Sequence, residues 1–246
     1  MKNVNFMSIA IIIPAFKETD NIEKLIFSIS KVLNDPIIII IDDSPDRETQ
    51  EKIKAFNNIR YIYRGQKLGR GSAVIEGMRN LINEKGINKI IEMDADLSHD
   101  PNEIQNNLKI FERDNLDLLI SSRYLKDSRI TNWTLRRRIF SILSNSLAKF
   151  VLKIPITDFT NGFRIYSKDS IGHIVANCGK IGDGFIILSE ILVELYFNNF
   201  KIGEVHSTFN NRTRGESSVN LKLILDSFFG LFKVYKRKKE IISKTN

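Results

Sequence analysis

The strongest constraint on this chain is an alternation of short, near-continuous aliphatic runs with longer stretches of helical periodicity. The run IAIIIPAF at residues 9–16 precedes a segment in which Ile22, Leu25, Ile26, Ile29 and Leu33 recur at helical spacing. Further strands are expected over 37–41, 59–63, 89–93 and 117–121, with helices over 48–56, 71–84 and 101–113. Strands apolar on both faces and separated by amphipathic helices make a mostly parallel central sheet, covered by helices on both faces. The chain is therefore expected in the α/β class. Beyond residue 123 the pattern loosens. A helix over 133–152, a polar loop over 157–162, a strand over 163–166, helices over 169–176 and 185–197, and a strand over 201–209 precede a basic loop and a last helix. No repeat, low-complexity stretch or long linker interrupts the 246 residues, which read as one domain.

Composition narrows the class. Hydrophobic residues at 42% and charged residues at 27% suit a soluble globular chain. The single cysteine, Cys178, excludes an internal disulfide and fits a reducing compartment. The opening MKNVNFMSIAIIIPAF reads as a buried first strand, not as a secretory leader. No run approaches the ~20 apolar residues of a membrane-spanning helix. The best candidate, 221–235, is broken by Lys222, Asp226 and Lys233. The net charge of +8 concentrates in residues 123–149, including Arg136, Arg137 and Arg138, and in the tail 233–239. Such clusters suit phosphate-bearing partners, although a solvated basic surface accounts for either one alone.

In open parallel sheets, ligands bind beyond the carboxyl ends of the strands. The polar residues expected there are Glu18, Asp42, Asp43, Asp94, Asp96 and Arg123. So many carboxylates on one rim call for a cation. Asp94 and Asp96 follow an apolar strand, and residues i and i+2 of extended chain project the same way. Both can face one hard ion, Mg²⁺ or Mn²⁺, whose remaining positions go to water and phosphate oxygens. No G-x-G-x-x-G follows the first strand and no Walker G-x-x-x-x-G-K-[ST] occurs, which argues against dinucleotide and P-loop chemistry. The glycines Gly65, Gly69 and Gly71 suit a loop capping the next helix as well as a phosphate or sugar contact. A nucleic-acid module fits poorly, because the acidic rim repels a phosphate backbone and no aromatic-basic interleaving marks a face.

In order along the chain, IIIPAFKETDNI, IIIIDDSPD, LGRGSAVIEGM, IIEMDADLSHDP, SSRY, NWTLRRRIFS, DFTNGFRIY and FNNRTRGES resemble the family-2 glycosyltransferases of GT-A fold. The nearest group is that of the dolichol-phosphate mannose synthases, over roughly residues 11–232. The resemblance implies a nucleotide-binding half (about 1–122), an acceptor half (about 123–217) and a C-terminal amphipathic helix (about 218–240). It implies that Pro14, Phe16, Glu18, Ile41 and Asp43 hold the nucleoside. Asp94, Ala95 and Asp96 would bind metal and diphosphate, with Ser98 beside them at the metal. Arg123 and Arg212 would meet phosphates, Arg137 would be a second acceptor-side cation, Asp158 would lie in the acidic acceptor loop, and Glu190 matches a helix carboxylate. The chain departs from the pattern at Ser218, where a donor-site lysine is usual, in a loop one residue short after Asp43, and at Ile187-Leu188 in place of Phe-Gln. These departures bear on the identity of sugar and acceptor more than on the reaction.

The implied reaction is inverting transfer of a sugar, mannose from GDP-mannose, onto a polyprenyl or dolichyl phosphate. Such an acceptor is already largely anionic at neutral pH and needs no general base, only cations that hold it, with Arg214 available beside Arg212. His99 is expected near the acidic motif, His173 and His206 away from it. The last helix, with Leu221, Leu225, Phe228, Phe232 and Tyr235 at helical spacing and a basic end, suits either a membrane interface or packing on the sheet. The expected location is peripheral, at the cytoplasmic face of a membrane, with a membrane-anchoring subunit as a possible partner. Two alternatives stand beside this: a related transferase using UDP-glucose or another nucleotide sugar, on lipid phosphate or a glycan hydroxyl, and a non-catalytic subunit that keeps the fold.

Overall fold

The computed structural model describes residues 9–211 and 221–245. The described strands are β1 (Ile9–Ala15), β2 (Ile37–Asp42), β3 (Ile59–Tyr63), β4 (Lys89–Glu92), β5 (Leu118–Ser122), β6 (Arg129–Ile130), β7 (Arg164–Ser167), β8 (Ile202–His206) and β9 (Thr208–Phe209). Seven of them form one sheet in the order β3-β2-β1-β4-β7-β5-β8. Its helices are α1 (Thr19–Val32), α2 (Glu48–Ile53), α3 (Arg70–Leu81), α4 (Ile104–Arg113), α5 (Leu135–Leu152), α6 (Lys168–Asn177), α7 (Ile186–Phe197) and α8 (Leu221–Thr245).

The aliphatic runs work as their period of two requires. Along β1, Ala10 and Ile12 join the core under α3, α6, α7 and α8, while Ile9, Ile11 and Ile13 join the core under α1 and α4. All seven β1 residues are buried, and each isoleucine contributes roughly 1.5–3 kcal/mol of apolar burial before its ordering cost. Ile22, Leu25, Ile26 and Ile29 form the buried stripe of α1.

One feature differs from expectation and one adds to it. The strand expected over 201–209 breaks at Ser207. β8 follows β5 as far as His206, and the Glu103 carboxylate then accepts from Ser207 Oγ (2.6 Å) and the Thr208 N–H (2.7 Å). That turns the chain to pair β9 with β6, a short strand the aliphatic pattern does not mark. The strand expected over 163–166 is β7, which runs antiparallel between β4 and β5.

The C-terminal helix packs against α7 and α5. Leu231, Val234 and Ile241 are buried, Phe232 is exposed, and buried Lys238 donates from Nζ to the Leu152 carbonyl at the end of α5 (2.8 Å). Leu221, Leu225 and Phe228 lie outside the described side chains. An outward apolar face is also present on α5. Asn145, Ala148 and Leu152 are buried, yet Leu135, Ile139, Leu143, Leu147 and Phe150 are exposed on the opposite side, Phe150 by 79%. Among the described residues no helix is long and apolar enough to cross a membrane.

Candidate active site

β1, β2 and β4 lie side by side and parallel, with Ala15 opposite Asp42 and Ile12 opposite Glu92. Their carboxyl ends open onto a cleft of ≈ 220 Å³. Pro14, Ala15, Phe16 and Glu18 form one wall, Asp43 another, and Asp94, Ala95 and Asp96 a third. Lys67, Gly69, Arg70 and Ala73 come from the loop and first turns of α3, and Phe185 from the segment before α7.

Asp42, the last residue of β2, and Asp43 beyond it shape this side of the cleft. Asp42 accepts from the Ser44 N–H (2.8 Å) and Ser44 Oγ (2.6 Å) through one oxygen and from the Tyr61 hydroxyl (2.8 Å) through the other. Asp43 accepts from the N–H groups of Leu68 and Gly69 (2.9 Å each) and pairs with Arg64 Nε at 2.5 Å. The rim carboxylates are therefore not an unpaired cluster awaiting a cation, as sequence alone suggests. Much of their charge is met from within the fold. Gly69, at φ +100°, lies where an added Cβ would stand 2.5 Å from the Asp183 carbonyl oxygen, so only glycine closes this wall without strain.

β4 stops at Glu92, so Asp94-Ala95-Asp96 lies in the turn beyond the strand and not on it. Leu97 takes a left-handed φ of 62°, and the Ser98 N–H donates to Asp96 Oδ1 (3.1 Å). Both carboxylates still face the cleft. Asp94 Oδ1 accepts from Arg70 Nε (2.8 Å), and Arg70 Nη1 stands 2.6 Å from Oε1 of fully buried Glu92. Burial alone would lower the Arg70 pKa, but the Asp94 and Glu92 charges outweigh it and hold the guanidinium firmly protonated. Buried His99 accepts the Asp94 N–H at Nδ1 (3.2 Å), so its proton sits on Nε2, facing Asn161 Oδ1 (3.0 Å). Its ring stacks on Phe163 and meets the edge of Phe209. The motif's backbone is thus pinned from β5, because the Asn161 amide donates in turn to the Ser121 carbonyl.

Asp94 and Asp96 fit a hard divalent ion that draws most of its ligands from water and diphosphate oxygens. No group of three or more His, Cys, Asp or Glu side chains able to hold a metal occurs among the described residues. Ser98, two residues beyond Asp96, has a fully buried side chain that is not among the cleft-lining residues, and its Oγ has no hydrogen-bond partner among the described residues.

Arg123 and Asp158 come together as a buried pair. Arg123 Nε and Nη2 donate to the two Asp158 oxygens at 2.8 Å each, and the Arg123 N–H adds a third contact at 3.0 Å. The Thr160 and Asn161 N–H groups (3.1 and 3.0 Å) complete the shell. Burial raises the Asp158 pKa and Arg123 more than reverses this, leaving the carboxyl below its usual range. With these donors and no exposed surface, Asp158 holds Arg123 in place. The guanidinium lies among the rings of Phe209 (5.3 Å), Tyr124 and Trp133 (5.5 Å each).

Arg137 sits over Trp133 (4.2 Å) and donates to Asn211 (2.8 Å), at the start of α5. Arg212, Arg214 and Ser218 lie outside the described residues. Ile41 is buried in the core and not on the cleft wall. Glu190 is buried away from the cleft and accepts from the Gly179 N–H (3.1 Å), with burial raising its pKa. His173 faces Glu194 (3.3 Å) and His206 is exposed. Three cleft residues escaped sequence reasoning: Lys67, whose Nζ stands 4.6 Å over the Phe16 ring, Arg70 and Phe185. The glycine-rich stretch was the available signal for the first two, and Phe185 had none.

A parallel sheet with one reversed strand, opening at its carboxyl ends onto paired aspartates, defines a GT-A glycosyltransferase architecture. Glucosyl-3-phosphoglycerate synthase from Mycobacterium tuberculosis, solved in complex with Mn²⁺, uridine diphosphate and glucosyl-3-phosphoglycerate, matches with a TM-score of 0.66 at 17% identity. The match covers 94% of this chain and 79% of that one. The chain belongs to glycosyl transferase family 2, whose sequence pattern it matches over residues 10–175. It is 32% identical over 242 residues to a dolichol-phosphate mannosyltransferase of Pyrococcus furiosus, covering 96% of this chain and 66% of that protein. To a polyprenol monophosphomannose synthase of Mycolicibacterium smegmatis it is 27% identical, over 89% of this chain and 83% of that protein.

Proposed function

We propose that this glycosyltransferase moves mannose from GDP-mannose onto a polyprenyl or dolichyl phosphate, with inversion at the anomeric carbon. The observation that carries the reading is the cleft bearing Asp94 and Asp96, in a chain so similar along its length to a dolichol-phosphate mannosyltransferase. Pro14, Phe16 and Glu18 offer the nucleoside a wall, with the Asp43-held loop across from it. Asp94 and Asp96 would hold Mg²⁺ or Mn²⁺, which when bound offsets the charge building on the departing nucleoside diphosphate.

An acceptor phosphate attacks as an anion, so the chain's task is to hold it close without quenching it. Arg123, fixed by Asp158, and Arg137 at the start of α5 are the cations for that side, with Arg212 completing the set. By the family resemblance alone, Ser218 falls at a position where a donor-site lysine is usual. The peripheral location at a membrane's cytoplasmic face is supported by α5. Its outward apolar stripe accompanies three arginines, one lysine and no acidic residue, the composition of an interfacial helix. A neighbour of the same fold, solved with Mn²⁺ and uridine-diphosphate-glucose, keeps that sugar nucleotide as the rival donor.

The test is incubation of purified protein with radiolabelled GDP-mannose or UDP-glucose, Mn²⁺ and polyprenyl phosphate, with and without chelator. Label should enter the organic phase from GDP-mannose only, and only without chelator. Label confined to water-soluble product would overturn the lipid-phosphate reading.

A further inference from the structure

The cleft contains an ion pair whose place is hard to explain by stability. Glu92 is fully buried in β4 beside Ile90 and Ile91, where an aliphatic side chain would pack without cost. A buried ion pair is a weak source of stability next to such an alternative. Glu92 Oε2 nonetheless accepts from the Tyr166 hydroxyl (2.6 Å), and Oε1 lies 2.6 Å from Arg70 Nη1, a charge contact without hydrogen-bond alignment. Arg70 continues to Asp94, with Nη2 2.7 Å from Oδ1, and its guanidinium lies 5.4 Å from the Phe185 ring. Its position is fixed from behind, since a Cβ at Gly162 would come within 1.8 Å of Nη2. The result is a rigid cation on the cleft wall, tied to the first carboxylate of the acidic motif.

We infer that Arg70, anchored by Glu92, is a positioning residue of the donor site: it orients Asp94 and gives the cleft a permanent positive charge for the donor's diphosphate. This rests on the proposed use of a nucleotide sugar. Two consequences of opposite sign follow. Arg70 offsets part of the Asp94 charge, so the bare cleft holds a divalent cation more weakly than two unshielded carboxylates would. It also attracts a diphosphate before any metal arrives. Donor and metal are therefore expected to enter as one complex.

The experiment compares wild-type protein with the Arg70→Leu/Glu92→Ile double variant, which removes both charges and leaves an apolar pair, and with Arg70→Lys. Mn²⁺ binding is read by electron paramagnetic resonance without nucleotide, and GDP and UDP binding by calorimetry in chelator. The double variant should fold with an unchanged circular dichroism spectrum, bind Mn²⁺ several-fold tighter and bind the diphosphates several-fold weaker, because the lost cation lines the cleft while the lost carboxylate lies buried behind it. Arg70→Lys should retain most diphosphate affinity. Unchanged affinities in the double variant, or both weakened together, would overturn the inference while leaving the donor reading intact. A wild-type protein that binds neither diphosphate even with Mn²⁺ would overturn both.

Discussion

Replacing Asp158 with asparagine separates two roles for the acidic loop. In the structure its carboxylate receives three bonds from Arg123 and two from the Thr160 and Asn161 backbone, all between 2.8 and 3.1 Å. An amide turns one of those acceptors into a donor facing other donors, and leaves Arg123 buried without its counter-charge. Removing one partner of a buried pair costs about 3–5 kcal/mol. For a domain of this size that lowers the melting temperature by on the order of 10 °C. Transfer should fall with it, because Arg123 loses its fixed position. Thermal and guanidinium melts of Asp158→Asn, with transfer assayed well below the melt, provide the check. A variant that melts within a degree or two of wild type yet transfers no sugar would refute the scaffold role and restore Asp158 as an acceptor contact. The acid limb gives a second reading. Arg123 holds the folded carboxyl below its ordinary pKa of about 3.9, so its stabilisation is complete above that value and is lost as pH falls through the lower, folded one. The melting temperature of Asp158→Asn should lack that component of the acid decline.

Asp96→Asn should keep the fold and lose about 10²–10³-fold in transfer, together with Mn²⁺-dependent nucleotide binding, measured by calorimetry and single-turnover assay. Gly69→Ala places a methyl group against the Asp183 carbonyl at a backbone angle alanine avoids, so donor affinity should drop and stability should fall by about 1–3 kcal/mol on denaturation. Leu143→Glu/Phe150→Glu, on the exposed face of α5, should abolish co-sedimentation with vesicles containing phosphatidylglycerol at an unchanged melting temperature. Retained sedimentation would remove α5 from the membrane contact.

The parallel half of the fold was legible because Ile9 to Ile13 and Ile38 to Ile41 are buried on both faces, and aliphatic runs report such burial directly. β6 carried no such signal, and β7 was expected as a strand but not as the reversed one. Arg164-Ile-Tyr166 carries a buried arginine satisfied by the carbonyls of Asn161, Leu188 and Phe159, contacts that no local pattern announces. At the site, the sequence located the carboxylates but not their partners. Asp43 with Arg64 and Asp94 with Arg70 are separated by about twenty residues, and only the loop into α3 brings the cations back. The outward stripe on α5 was hidden because the helix is apolar on its inner side as well, which blurs the amphipathic signal.

The reversed strand has a consequence for anyone recombining such enzymes. By sequence, β7 follows the Arg123 boundary between the two expected halves, yet it is stitched between β4 and β5 of the first half. A chimera cut at residue 123 would therefore exchange a strand from the middle of its partner's sheet, and Tyr166 with it, whose hydroxyl secures Glu92. New acceptor preferences are better sought by grafting α5 and the segments around it, leaving residues 157–167 with their native sheet.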